Sequence, residues 1–147
     1  MNLSDVTVCV DFDGTCVEHC YPGLGAEIGA APYLKAASDA GVRIILWTLR
    51  SKSNASSNRP YAPRIDTISQ AVGWFEKHGI KLFGVNKNPM QQWSDSPKCE
   101  ADYFIDDRNL GADLTWTKFG PAEFQRPYVD WSVTGPKLLK ALGLPPL

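Results

Sequence analysis

The sequence predicts one three-layer α/β domain over residues 1–147, built on a mainly parallel sheet of five strands with helices on both faces. Two observations predict it. Short β-branched apolar runs lack the polar alternation of a half-solvated strand, and helical periodicities separate them through short connections. A chain of 147 residues, 44% apolar, buries roughly 70% of the surface its unfolded form exposes, so a core can hold it together without disulfides or structural metal.

The elements follow in order. Val6 to Phe12 is a β-branched-rich run that stops at Asp13-Gly14, as a buried strand does on reaching a loop. Pro32 opens a helix in which Tyr33, Leu34, Ala37 and Ala40 share a face, with Gly41 as its left-handed stop. Val42 to Thr48 is the second strand. Leu49 to Pro63, rich in Ser, Asn and Pro, has little to bury and reads as a loop. Ile65, Ile68, Val72 and Phe75 step along a second helix that closes at His78-Gly79. Ile80 to Val85 and Tyr103 to Ile105 are further strands, and Tyr128 to Val133 supplies the fifth. Lys137 to Leu142 forms a last helix before Gly143, while Gly111 to Pro127 shows no period and no internal repeat is visible.

Fifteen basic against sixteen acidic side chains leave a net charge of −1, which excludes a wholesale cationic binder of nucleic acid or membrane. The amino terminus lacks the basic-then-apolar pattern of a secretory signal. The longest apolar stretch, Val42 to Leu49, contains Arg43 and is too short to span a bilayer, so a cytoplasmic protein without membrane contact is expected. There Cys9, Cys16, Cys20 and Cys99 are expected as reduced thiols, with Cys9 a buried hydrophobe. Cys16, His19 and Cys20 lie close enough for zinc, but no second ligand pair follows and His78 is isolated.

Chemistry concentrates where strands end, since ligands of such sheets bind beyond the carboxyl ends, near the point where strand order reverses. The first strand ends in Asp11-Phe12-Asp13-Gly14-Thr15, the second in Thr48-Leu49-Arg50, and the fourth in Asp106-Asp107, with Lys98 upstream of it. Asp13-Gly14 alone reads as a turn, and Asp106-Asp107 alone as a solvated loop. Together they gather four carboxylates at one sheet edge, where they repel unless a cation intervenes, and carboxylate oxygens select a hard ion such as Mg²⁺.

Asp-x-Asp-Gly-Thr, a strand-end Thr, a Lys and an acidic pair after a hydrophobic strand, in that order over about residues 5–110, resemble the four motifs of the haloacid dehalogenase superfamily. Thr15 to Pro22 and Phe104 to Asn109 look like its short members. The resemblance implies a Rossmann-like domain and a Mg²⁺-dependent phosphomonoesterase acting through an aspartyl-phosphate. It implies Asp11 as nucleophile and Asp13 as general acid and then base, a pattern of phosphatases rather than dehalogenases. It further implies Thr48 and Lys98 as phosphoryl ligands, with Lys87 a competing lysine after a strand end. Mg²⁺ would be held by Asp11, the Asp13 carbonyl and the acidic pair, Asp107 or Asp106 being the direct ligand. Gly14 and Thr15 would shape and orient the substrate loop.

Thr-x-Arg after the second strand resembles capless phosphatases and polynucleotide 3′-phosphatases, so Arg50 is expected on substrate phosphate, against a solvated loop arginine. Lys52, Arg59 and Arg108 would complete a basic rim, with Trp93 or Tyr61 as base-stacking candidates. The intervals Cys16 to Gly41 and Leu49 to Pro97 are filled by core elements and leave no room for a cap domain. An open site favours a large phosphorylated substrate, a nucleotide or nucleic-acid end. The rivals are a catalytically idle phosphate-binding domain of the same fold, and a phosphotransferase.

Overall fold

The registers of four parallel strands decide where the reactive residues meet. The computed structural model describes residues 2–52, 65–117 and 126–147. β1 (Thr7–Val10), β2 (Arg43–Leu46), β3 (Leu82–Val85) and β4 (Tyr103–Ile105) form a parallel sheet in the order β3-β2-β1-β4. β1 is central and buried at every position, as its unalternating Thr-Val-Cys-Val requires, whereas the edge strands β3 and β4 are more exposed.

Val8, Val10, Ile44 and Leu46 join one core cluster with side chains of three helices, α1 (Ala30–Asp39), α2 (Thr67–Lys77) and α3 (Trp131–Leu142). Leu34 and Ala37 come from α1, Trp74 and Phe75 from α2, and Leu138 and Leu142 from α3. Each Val, Leu or Ile among them contributes about 1.5–3 kcal/mol by leaving water. The intervening residues Cys9 and Ile45 pack with Cys99, Trp47 and Phe83 instead. There the cover is the helix-free 86–102 connection, so the expected second helical layer is, among the described residues, a layer of loop.

All three helices end as their glycines predict. At Gly41, Gly79 and Gly143 the backbone takes a positive φ, and the next N–H returns to a carbonyl a turn back: Val42 to Ala37, Ile80 to Phe75, Leu144 to Leu139, at 2.8–3.1 Å. Starts are less legible. α1 begins at Ala30, with Pro32 inside its first turn, where a missing N–H costs nothing. Asp66 caps α2 by accepting from the Ser69 N–H at 2.9 Å, which leaves Ile65 outside and exposed.

The fifth strand departs from expectation. Tyr128–Val129 is β6, paired antiparallel with β5 (Leu114–Thr115) in a separate two-stranded sheet. Asp130 accepts from the Ser132 N–H at 3.0 Å and caps α3, so Trp131 to Val133 turn helical and α3 begins well before Lys137. Pro136 lies inside it. Gly135, also within α3, is buried, and any Cβ there would collide with the Tyr33 ring, which stacks 6.1 Å from Trp131 and joins α1 to α3. No helix among the described residues is long and apolar enough to cross a membrane.

Candidate active site

Val10 lies opposite both Leu46 and Ile105, so the residues that follow these three emerge side by side. The Asp11 N–H donates to Ile105 O at 3.0 Å, Trp47 N–H to Val10 O at 2.8 Å, and Asn86 N–H to Leu46 O at 2.7 Å, continuing the ladder past the strands. β2 and β4 flank β1 on opposite sides, which opens a crevice at this edge. A cavity of about 980 Å³ occupies it, with Asp11, Asp13, Thr48, Asp106 and Asp107 in its walls.

Asp11, Asp106 and Asp107 each offer a carboxylate oxygen, and these oxygens lie within 4.8 Å of one another. Burial pushes the Asp11 carboxyl up to about 7, against the Thr15 hydroxyl that stabilises its charge, and the neighbouring acids push the same way. Burial also raises Asp106, partly offset by the Arg108 N–H that donates to it at 2.9 Å. Three half-buried acids so close together form a good oxygen donor set. Its charge and atom type fit a hard divalent ion such as Mg²⁺.

The acids are held by Thr15, Trp131 and Gly14, which do not line the cavity, and by His19, which does. Thr15, fully buried, donates from Oγ1 to Asp11 Oδ2 at 2.7 Å and accepts from the Asp107 N–H at 3.1 Å, tying β1's end to β4's. The Trp131 indole N–H donates to Thr15 O at 2.6 Å, anchoring that loop on α3. Gly14 has φ +78°, and a Cβ there would collide with the His19 ring and stand 2.7 Å from Asp107 Oδ2. His19 Nε2 lies 3.0 Å from Asp107 Oδ2 and 3.2 Å from Pro127 O, both acceptors, so this nitrogen carries the proton.

Several expectations change. Gly14 and Thr15 act on the acids rather than in the cavity wall. Arg50 lines the cavity but is only 2% exposed, with its guanidinium engaged by the protein: Nε donates to Asp13 Oδ2 at 2.8 Å and Nη2 to Asp13 Oδ1 at 2.7 Å. The remaining donors reach backbone carbonyls and Gln70, so the fork expected on substrate is occupied by protein acceptors. Asp13's carboxylate therefore stands outside the three-acid cluster. Lys98 is exposed and Pro97, not Lys98 or Lys87, lines the cavity. Thr48 does line it, with its N–H on Asn86 Oδ1 at 2.7 Å. Trp93 lies outside the wall with its indole on Glu100, and Arg59 and Tyr61 fall outside the described residues.

Sequence reasoning missed His19 as a partner of Asp107, Trp131 as an anchor, Asn86 and Arg126. Asn86 carried a signal, since an Asn directly after a strand suits the left-handed region and here has φ +54°. Arg126 reaches the wall from a stretch without period, and no local pattern marks it.

No family model and no curated protein matches the chain. Among solved structures, a conserved protein coded by a locus of Bacteroides thetaiotaomicron is 37% identical, with a TM-score of 0.58, over 71% of this chain and 78% of that one. The chain belongs to the family of that conserved protein. Membership fixes the α/β fold and brings no reaction with it.

Proposed function

We propose that the protein is a phosphomonoesterase of the haloacid dehalogenase type, capless and Mg²⁺-dependent, working through an aspartyl-phosphate on Asp11. The observation that carries this reading is the convergence of Asp11, Asp106 and Asp107 within 4.8 Å at the switch point, with Asp11 also bound by Thr15. Asp11 and the acidic pair, with the Asp13 carbonyl, would hold Mg²⁺, which supplies charge neutralisation for the phosphate and the nucleophile. An Asp11 carboxylate oxygen attacks phosphorus and the ester P–O bond breaks, while Asp13, protonated from solvent at an oxygen lone pair that Arg50 leaves free, gives that proton to the leaving oxygen. Asp13 then takes a proton from the water that cleaves the acyl-phosphate, which restores Asp11 and releases phosphate. Arg108 and Arg126 line the cavity and form no ion pair among the described residues, so they are the guanidinium groups free to meet phosphoryl oxygens. A cavity of about 980 Å³ with Trp47 and Tyr21 in its wall accommodates a nucleotide-sized ester, and a cytoplasmic enzyme is the setting.

Purified protein with Mg²⁺ should hydrolyse members of a phosphate-ester panel, and Asp11→Asn should not. Equal rates for the two would end the enzyme reading. The idle phosphate-binding domain draws support from Lys98, which lies outside the cavity wall, and it predicts phosphate binding with no turnover in either protein. Products formed with added alcohols or nucleosides distinguish a phosphotransferase.

A further inference from the structure

The geometry points to Arg50 as the positioning residue of Asp13: it acts through that carboxyl group and makes no contact with the substrate's phosphate. This rests on the phosphatase reading above and assigns within it a residue whose sequence context argued for direct phosphate contact. All five guanidinium protons have acceptors. Nε and Nη2 take the two oxygens of Asp13, Nη2 also takes Gly23 O at 2.6 Å, and Nη1 faces Pro22 O, Thr67 O and Gln70 Oε1 at 3.1–3.4 Å. The guanidinium carbon lies 5.0 Å from the Phe12 ring centroid and 5.3 Å from that of Tyr21, so two aromatic rings also pack against the cation.

A cation so enclosed has nothing to offer an incoming anion without breaking several bonds inside the protein. Its planar fork does something else well. Two parallel bonds fix both the distance and the plane of the Asp13 carboxyl, which a single ammonium could not do. Each carboxyl oxygen has two lone-pair positions, and Arg50 takes one on each, leaving the others for the leaving oxygen and the attacking water. The anchoring carbonyls belong to the 20–23 loop and to α2's first turn, so the orientation of Asp13 is set by elements that bear no other reacting group.

The test compares Arg50→Lys, Arg50→Gln, Asp13→Asn and Arg50→Gln/Asp13→Asn on alkyl phosphates and p-nitrophenyl phosphate, with inorganic phosphate as inhibitor and melting as the check of folding. A proton donor matters most for a poor leaving group. Both single-site Arg50 variants should therefore lose kcat on alkyl phosphates by about 10²-fold or more, as Asp13→Asn does, and much less on p-nitrophenyl phosphate. The inhibition constant of phosphate should stay within about threefold, and the double variant should be no slower than Asp13→Asn alone. Arg50→Lys keeps the charge and serves if Arg50→Gln does not fold. A phosphate inhibition constant raised about tenfold with equal losses on every ester, or losses that multiply in the double variant, would overturn the assignment. Those results require an Asp11-dependent enzyme, whereas a wild type inert on all esters defeats the phosphatase reading itself.

Discussion

Asp11 and Asp13 leave the same strand end and meet opposite surroundings. Asp11 joins two further acids, its charge steadied by one hydroxyl. Asp13 meets a buried guanidinium that takes both of its oxygens. The first group gathers like charges; the second is paired within the chain. The comparison teaches that acids of one motif can serve one cavity in different ways: the count of carboxylates matters less than which of them the protein has already paired.

The comparison breaks most severely at Asp11. Asp11→Asn should bring phosphate-ester turnover to background while relieving repulsion with Asp106 and Asp107, so the apoprotein should melt no lower than wild type. A less direct break comes through Gly14→Ala. It forces a side chain into a left-handed backbone, at about 1–3 kcal/mol, and displaces the His19 that meets Asp107. Mg²⁺ affinity followed by calorimetry should fall about 10–100-fold, as when a partner of a metal ligand is lost.

Arg108→Ala and Arg126→Ala sharpen the contrast between free and occupied guanidinium groups. Each should raise KM for phosphate esters about tenfold, the worth of one charge-assisted contact, with a smaller change in kcat. The smallest effect is on stability. Without metal, folded Asp11 titrates near 7 against an ordinary 3.8, so between those values the folded state holds more protons than the unfolded one. Stability then falls as pH rises through this window. The metal-free melting temperature should be lower at pH 8 than at pH 5, Mg²⁺ should stabilise more at pH 8, and Asp11→Asn should flatten the metal-free trend. A metal-free melting temperature that rises over this range would contradict the cluster's electrostatics.

What was legible in the sequence had local causes. The parallel strands show in unbroken apolar runs, and the helix stops in glycines that close with a returning N–H. Tyr128 to Val133 misleads because its aromatic and β-branched residues read as strand while Asp130 and Ser132 write a helix cap across it. At the site, Asp11, Thr48, Asp106 and Asp107 could be read because parallel registers align strand ends, so adjacency follows from topology. Partner choice is not local. Arg50 sits where a phosphate-binding arginine is expected, and only the folded chain shows it surrounded by Asp13, Gln70 and three carbonyls. His19 and Trp131 likewise act across long separations, through contacts that no spacing rule encodes.

The central claim is that Asp11, in its cluster of acids, is the phosphoryl acceptor. It is tested most directly by acid-quenching the protein during turnover of a phosphate ester with Mg²⁺ and mapping the peptides by mass spectrometry. The account predicts a phosphoryl adduct on the peptide containing Asp11, absent without Mg²⁺ and absent in Asp11→Asn. Steady hydrolysis with no adduct at any quench time, undiminished in Asp11→Asn, would contradict it.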